Sequence, residues 1–182
     1  MERWLRRLCP TWVARRLEEI TPEWLAAQGI RALLLDLDNT LVPWHGIEPT
    51  PEALGWLESL RRAQVAMCLT SNTHRPKRLA AIAQAMAVPF EPGCAKPRPG
   101  GILRALKRIA ATAGEAALVG DQIFTDILGG NSAGVRTVLV PPLSPREFVG
   151  TRLVSRTAER WVLRALARRG WLVPIVTEDR RD

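Results

Sequence analysis

Short apolar runs that stop at acidic or polar residues alternate along this chain with longer stretches in which apolar positions recur every three or four residues. From Ile30 the run Arg-Ala-Leu-Leu-Leu ends at Asp36-Leu37-Asp38, the pattern of a buried parallel strand that opens into a loop at its carboxyl end. Gln64 to Thr70 is a second such run, ending in Ser71-Asn72, and Val88-Pro89-Phe90 is a short third. Ala116 to Val119 is a fourth, stopping at Gly120-Asp121, and Val135 to Val140 is a fifth, closed by Pro141-Pro142. The intervals read as helices. Thr50-Pro51-Glu52 supplies a cap, a first-turn proline and a first-turn acid for a helix of about ten residues carrying Ala53, Trp56, Leu57 and Leu60. Pro76 to Met86 and Gly100 to Ala111 follow, and another helix is expected near Thr125. Residues 1–28 read as helical, with Thr21-Pro22-Glu23 starting the segment that runs to Ala27 and Gly29 ending it.

Strands separated by ten- to fifteen-residue helical patterns imply right-handed crossovers. The fold class is therefore α/β: a doubly wound, Rossmann-like parallel sheet of about five strands with helices on both faces. At 182 residues the chain has the length of one domain. It divides into an N-terminal helical extension (1–28), a catalytic domain (29–145) and a C-terminal basic helical extension (146–182) packed on or near it.

Composition adds three points. Apolar residues at 47% and charged residues at 24% fit a folded globular chain. No run reaches the length of a membrane span, the start lacks a signal peptide's apolar stretch, and Cys9, Cys68 and Cys94 lack metal or disulfide spacing, so a reducing cytoplasm is expected. The 26 basic residues against 18 acidic ones leave a net charge of +8, which suits an acidic partner: nucleic acid, anionic lipid or a phosphorylated substrate.

The candidate chemistry lies where the strands end. Of six aspartates, Asp36, Asp38, Asp121 and Asp126 follow the first and fourth predicted strands. In parallel α/β sheets ligands bind at the carboxyl ends of strands, so these acids should converge although they are far apart in sequence. Convergent carboxylates repel unless a cation neutralises them, and Mg²⁺ is the hard, oxygen-seeking cation that commonly bridges protein acids to phosphate. If the strand runs straight through Asp36 and Asp38, the two share a face and Leu37 points into the core. One carboxylate could then attack phosphorus while the other protonates the leaving alkoxide and later activates water. Thr40 and nearby amides could hold phosphoryl oxygens, as could Ser71 and Asn72 after the second strand. Lys96 is one of only three lysines in an arginine-rich chain, set in the proline-rich loop Cys94 to Gly100, where a compact ammonium could offset transition-state charge.

These residues resemble the haloacid dehalogenase-like (HAD) superfamily, whose four ordered motifs stand here as DLDNTL at 36–41, TSN at 70–72, Lys96, and GDQIFTD at 120–126. The resemblance covers roughly residues 30–140. It implies that Asp36 is the nucleophile and a metal ligand, and that Asp38 is the general acid/base and binds metal through its backbone carbonyl. Thr40 and Ser71 would hold phosphate and Lys96 would steady the phosphoryl group. Asp121 would ligate Mg²⁺ and Asp126 would support that ligand. The short intervals between motifs leave no room for a large cap domain, as in the type IIIA subgroup. TPEWLAAQGIRALLLDLDNTLVPW and GDQIFTDILGGNSAG are similar to the YqeG-type branch, akin to phosphatidylglycerophosphate phosphatases.

Arg152, Arg156, Arg160, Arg164 and Arg168 recur every four residues beside Leu153, Val154, Trp161, Val162 and Leu166, a basic amphipathic helix suited to an anionic membrane or, equally, to packing on the domain with solvated arginines. The expected function is Mg²⁺-dependent hydrolysis of a phosphate monoester through an aspartyl phosphate, on phosphatidylglycerophosphate at the cytoplasmic membrane face, with residues 152–169 making the peripheral contact. Two rivals stand beside it: a phosphatase for a soluble or nucleic-acid-terminal phosphate, and a non-catalytic HAD-like scaffold binding RNA or a protein partner.

Overall fold

A computed structural model describes residues 2–43, 46–73, 75–144 and 152–176, the last stretch with side chains from Thr157 onward. All five expected strands form: β2 (Ala32–Asp36), β3 (Ala66–Thr70), β4 (Phe90–Glu91), β5 (Ala116–Gly120) and β6 (Arg136–Leu139). A sixth, β1 (Trp12–Val13), pairs with β6 through Trp12–Val138 and Val13–Leu139. The sheet is parallel throughout, in the order β1-β6-β5-β2-β3-β4.

Residues 1–28 are not the continuous helical stretch that their sequence predicts. Only α1 (Glu2–Arg7) and α2 (Pro22–Ala27) are α-helical in that stretch, and Leu17–Glu19 is a single 3₁₀ turn. A two-residue strand is too short to show an alternating pattern. Its pairing comes from distant chain: Ala14 N–H donates to Leu139 C=O at 2.9 Å and Val13 N–H to Val173 C=O at 2.8 Å. Ile175 N–H returns a bond to Val13 C=O at 2.9 Å, so the segment after α7 (Arg152–Ala167) closes this edge.

Helix starts follow the chemistry read from sequence. Thr21 accepts from Trp24 N–H at 3.1 Å at the head of α2, and Thr50 accepts from Ala53 N–H at 3.2 Å at the head of α3 (Pro51–Arg62). α3 and α4 (Pro76–Met86) cover one sheet face, where Leu57, Leu60, Leu79 and Ile82 meet Leu33, Leu35 and Val119. Trp56 belongs to the same cluster and donates its indole N–H to Ile20 C=O at 2.9 Å, so its burial leaves no polar group unpaired. α5 (Pro99–Arg108) covers the other face, packing Ile102, Ala105 and Leu106 on Leu34, Cys68 and Leu118. Both faces of β2 are thus buried, which is why its sequence reads as a continuous apolar run rather than an alternating one. Each fully buried leucine in these layers contributes about 1.5–3 kcal/mol relative to exposure.

A third cluster joins α1 and α7 to the turn after β5, through Leu5, Leu8, Ile123, Ile127, Val162 and Leu166. That turn, Ile123–Ile127, is a π-helical turn continuing into α6 (Leu128–Ser132), the helix expected near Thr125. No described helix is long and apolar enough to cross a membrane.

Candidate active site

In chain order the sheet grows from β2 to β3 and β4 on one side, then returns to the other side of β2 for β5 and β6. The β2/β5 pair is therefore the point where the winding reverses, and a crevice opens there at the carboxyl ends of the strands. Leu35 lies opposite Val119, so Asp36, the last residue of β2, stands beside Gly120, with Asp121 just beyond it. On the other side Asp36 pairs in register with Thr70, after which come Ser71 and Asn72. Leu37 turns fully into the core, as its place between two acids predicts.

Three buried carboxylates, Asp36, Asp121 and Asp126, gather with one oxygen from each inside 4.8 Å of one another. Lys96, only 5% exposed, sits beneath them. Its Nζ lies 2.7 Å from Asp36 Oδ1, 2.7 Å from Asp126 Oδ1 and 2.8 Å from Thr70 C=O. A solvated surface lysine is thereby ruled out. Asp36 Oδ2 accepts from the Thr40 hydroxyl at 3.1 Å. Asp126 Oδ2 accepts from Gln122 N–H at 3.1 Å, and a Cβ on Gly120 would collide with the Asp126 carboxylate, so only glycine lets that side chain lie across the strand end.

Asp38 stands apart from this cluster. Its carboxylate accepts from Arg78 Nη1 at 2.7 Å and from the Ser71 hydroxyl at 3.2 Å, while Arg78 also donates through Nε to Gly46 C=O at 3.1 Å. The side chains of Asp36 and Asp38 thus have separate partners: a buried lysine for the first, a more exposed arginine for the second. Asn72 gives both ends of its amide to Lys96, donating to its C=O and accepting from its N–H, each at 2.7 Å. In this geometry it ties the loop after β3 to the lysine loop.

Two residues of the site escaped sequence reasoning. Arg78 is one arginine among many, and nothing in its spacing points to Asp38. Asn39, inside the first motif, holds a left-handed backbone conformation at φ 71°, donates to Asp121 Oδ2 at 3.5 Å and accepts from Ser144 N–H at 2.8 Å. Its position between two site residues was the available signal.

The electrostatics follow from burial. Burial pushes the Asp36 carboxyl up, Lys96 draws it back, and the charges of Asp126 and Asp121 push it further, to about 8. Burial opposes the charge of Lys96, but Asp126 and Asp36 more than offset it and hold the ammonium above its ordinary range. Three carboxylates facing one ammonium leave an excess of negative charge in a buried, oxygen-lined place. That donor set fits a hard divalent cation, which would relieve the repulsion that raises Asp36.

A family model described as haloacid dehalogenase-like hydrolase matches residues 2–134. The probable phosphatase YqeG of Bacillus subtilis (strain 168) is 32% identical over 161 residues, covering 88% of this chain and 92% of that protein. The chloroplastic phosphatidylglycerophosphate phosphatase 1 of Chlamydomonas reinhardtii is 32% identical over 149 residues, covering 77% of this chain and 55% of that protein. Among solved structures, an uncharacterized protein from Listeria monocytogenes serotype 4b superposes with a TM-score of 0.53 at 17% identity, covering 74% of this chain and 99% of that one. The cobalt-bound deoxy-D-mannose-octulosonate 8-phosphate phosphatase of Haemophilus influenzae superposes with a TM-score of 0.51 at 16% identity, covering 79% of this chain and 92% of that one. These last two are likenesses of fold.

Proposed function

This chain belongs to the haloacid dehalogenase-like hydrolases and is a phosphatase of that family, and from that premise we propose that it hydrolyses a phosphate monoester through a phospho-aspartate on Asp36, with Mg²⁺ held by Asp36, Asp121 and the backbone carbonyl of Asp38 and supported by Asp126. The observation that carries this reading is Lys96 Nζ bridging Asp36 and Asp126 at 2.7 Å beneath the clustered carboxylates, with Asp38 two residues beyond the nucleophile. When bound, the cation would neutralise the carboxylates and the phosphoryl oxygens together.

The remaining work falls to the chain. Asp36 attacks phosphorus and the ester P–O bond breaks. Asp38, two residues past the end of β2, gives its proton to the departing alkoxide, and then takes one from the water that cleaves the acyl phosphate. That sequence returns both carboxyl groups to their starting states. Lys96 offsets the charge on the transferred group, and Thr40 and Ser71, now bonded to Asp36 and Asp38, exchange those partners for phosphoryl oxygens. Asn72 serves through Lys96, whose backbone it holds.

For the substrate we infer a membrane phospholipid of the phosphatidylglycerophosphate kind, met at the cytoplasmic membrane face. The name of the Chlamydomonas reinhardtii relative supports this, and so does the outer face of α7, where Arg160 and Arg164, followed by Arg168 just past the helix end, are exposed beside Trp161 at 64% exposure. Arg152 and Arg156, expected in the same basic stripe, and Leu153 and Val154, expected on the apolar surface of the same helix, have side chains outside the described residues. Trp4, 53% exposed on α1, lies 6.5 Å from Phe124 in the turn that carries Asp126. Basic and tryptophan-bearing surface is what peripheral attachment to anionic lipid needs.

The test is turnover of phosphatidylglycerophosphate in mixed micelles with Mg²⁺, beside soluble sugar, nucleotide and nucleic-acid-terminal monoesters, for wild type and Asp36→Asn. The lipid should be preferred and the variant inactive. Preference for a soluble ester would overturn the lipid reading, and turnover by Asp36→Asn would overturn the phospho-aspartate.

A further inference from the structure

Glu159 is the one acid on the buried face of α7, 4% exposed, in a helix whose neighbouring inward residues are Val162 and Leu166. A carboxylate in such a place is costly unless hydrogen bonds hold its charge. Its Oε1 accepts from the backbone N–H of Ile123 at 2.9 Å and lies 3.5 Å from that of Phe124. These are the opening N–H groups of the helical stretch that runs from Ile123 to Ser132, groups that have no partner inside a helix. Helices are usually capped by a residue just before them in sequence, but Gln122 makes no side-chain cap here. The cap arrives from 36 residues away.

The turn so capped carries the acids of the site. Asp121 lies two residues before Ile123 and Asp126 three after it. Within the turn, Asp126 Oδ2 takes the Gln122 N–H, and Asp126 N–H donates to Gln122 C=O at 3.0 Å. The backbone path between the two aspartates is therefore held from within by Asp126 and from outside by Glu159. Ile123 and Ile127 seat the same turn against Val162 and Leu166.

We propose that Glu159 is a positioning residue for divalent-metal binding: by capping the 123–127 turn it holds Asp121 and Asp126 at the separation the cation requires. This rests on the metal site proposed above. Groups bonded directly to a metal's ligands commonly govern affinity by ten- to a hundredfold, and Glu159, which acts on the backbone that carries the ligands, belongs at the low end of that range. The role differs from simple docking of α7, which Val162 and Leu166 accomplish by apolar contact alone.

The experiment measures Mn²⁺ binding to the full chain by electron paramagnetic resonance and calorimetry, with melting temperatures in chelator alongside. Glu159→Ala should raise the Mn²⁺ Kd roughly tenfold. Glu159→Gln, whose amide oxygen still accepts the Ile123 N–H, should stay within about threefold of wild type, since a neutral acceptor keeps the bond at reduced strength. Val162→Ala should lower the melting temperature but leave the Kd unchanged. Glu159→Asp, too short to reach, should lose affinity as alanine does, and carries the test if the alanine variant fails to fold. Wild-type affinity in Glu159→Ala or Glu159→Asp, a loss in the glutamine variant as large as in alanine, or an equal loss in Val162→Ala would each overturn the proposal. A wild-type chain without affinity for Mn²⁺ or Mg²⁺ would instead overturn the metal site on which it rests.

Discussion

For Asp36 to attack phosphorus it must be ionised, and burial works against that. Its carboxyl is pushed from an ordinary 3.8 to about 8, by burial first and by Asp126 and Asp121 after it, with Lys96 opposing. A folded-state value above the unfolded one means that the folded chain binds the proton more tightly. The resulting stabilisation is full below the ordinary value and is lost as pH rises through about 8. Without metal, the wild type should therefore melt progressively below Asp36→Asn between about pH 4 and pH 8, by roughly 5 °C or more at the alkaline end. Differential scanning calorimetry in chelator checks this, and curves that stay parallel across that range would contradict the assignment. Asp38 is held differently, by Arg78 at 2.7 Å and the Ser71 hydroxyl. Replacing Arg78 with alanine leaves the carboxylate of the proposed acid/base free to rotate, so kcat should fall roughly tenfold with KM little changed, because proton transfer depends on placement. Steady-state kinetics on a soluble ester decide it: a rise in KM with intact kcat would make Arg78 a substrate-binding residue.

The elements place these residues by different means. β2 and β5 do so by register: Leu35 opposite Val119 sets Asp36 beside Gly120 without any side-chain contact. The loop from Cys94 to Arg98 does so by hydrogen bonds, with Asn72 holding the backbone of Lys96. α7 has two faces of different character. Glu159, Val162 and Leu166 point inward, while Arg160, Trp161, Arg164 and Arg168 are exposed. Changing Arg160, Arg164 and Arg168 together to glutamine should weaken binding to anionic vesicles by roughly a hundredfold, at on the order of 1 kcal/mol per basic residue near the surface, and added salt should mimic part of the loss. Hydrolysis of a small soluble ester should stay close to wild type, since these side chains lie on the outer face. Vesicle sedimentation measures the first effect, and unchanged binding would leave α7 a packing element.

At the scale of the whole molecule, metal and fold should be linked. A cation that binds only the native chain at a hundredfold above its Kd adds about 2.7 kcal/mol, worth roughly 5–10 °C for a domain of this size. Mg²⁺ should raise the melting temperature by that order and chelator should reverse it. Asp121→Ala should lose the increment, yet melt in chelator at or above the wild type, because one of three crowded carboxylates has gone. A variant that keeps the full Mg²⁺ shift would take Asp121 out of the metal site. The net charge of +8 is spread over a chain whose site is acidic, so the basic residues and the acidic crevice are different regions of the molecule.

The long apolar runs and the Thr-Pro-Glu helix starts were legible because they are local: β2, β3, α3 and the cap at Thr50 each depend on residues within a few positions of one another. The same is true of the ordered motifs that bring Asp36, Ser71, Lys96 and Asp121 to successive strand ends. β1 was not legible, because Trp12 and Val13 become a strand only where Leu139 and Val173 supply partners. Nor were Arg78 and Glu159, whose roles depend on how far a side chain reaches from another helix. The parallel α/β sheet, its site-bearing strand ends and the acids that lie there follow from local sequence pattern alone. That Asp126 closes the buried triad with Asp36 while the Asp38 carboxylate turns to Arg78 comes instead from packing between segments distant in the chain, which no local pattern encodes.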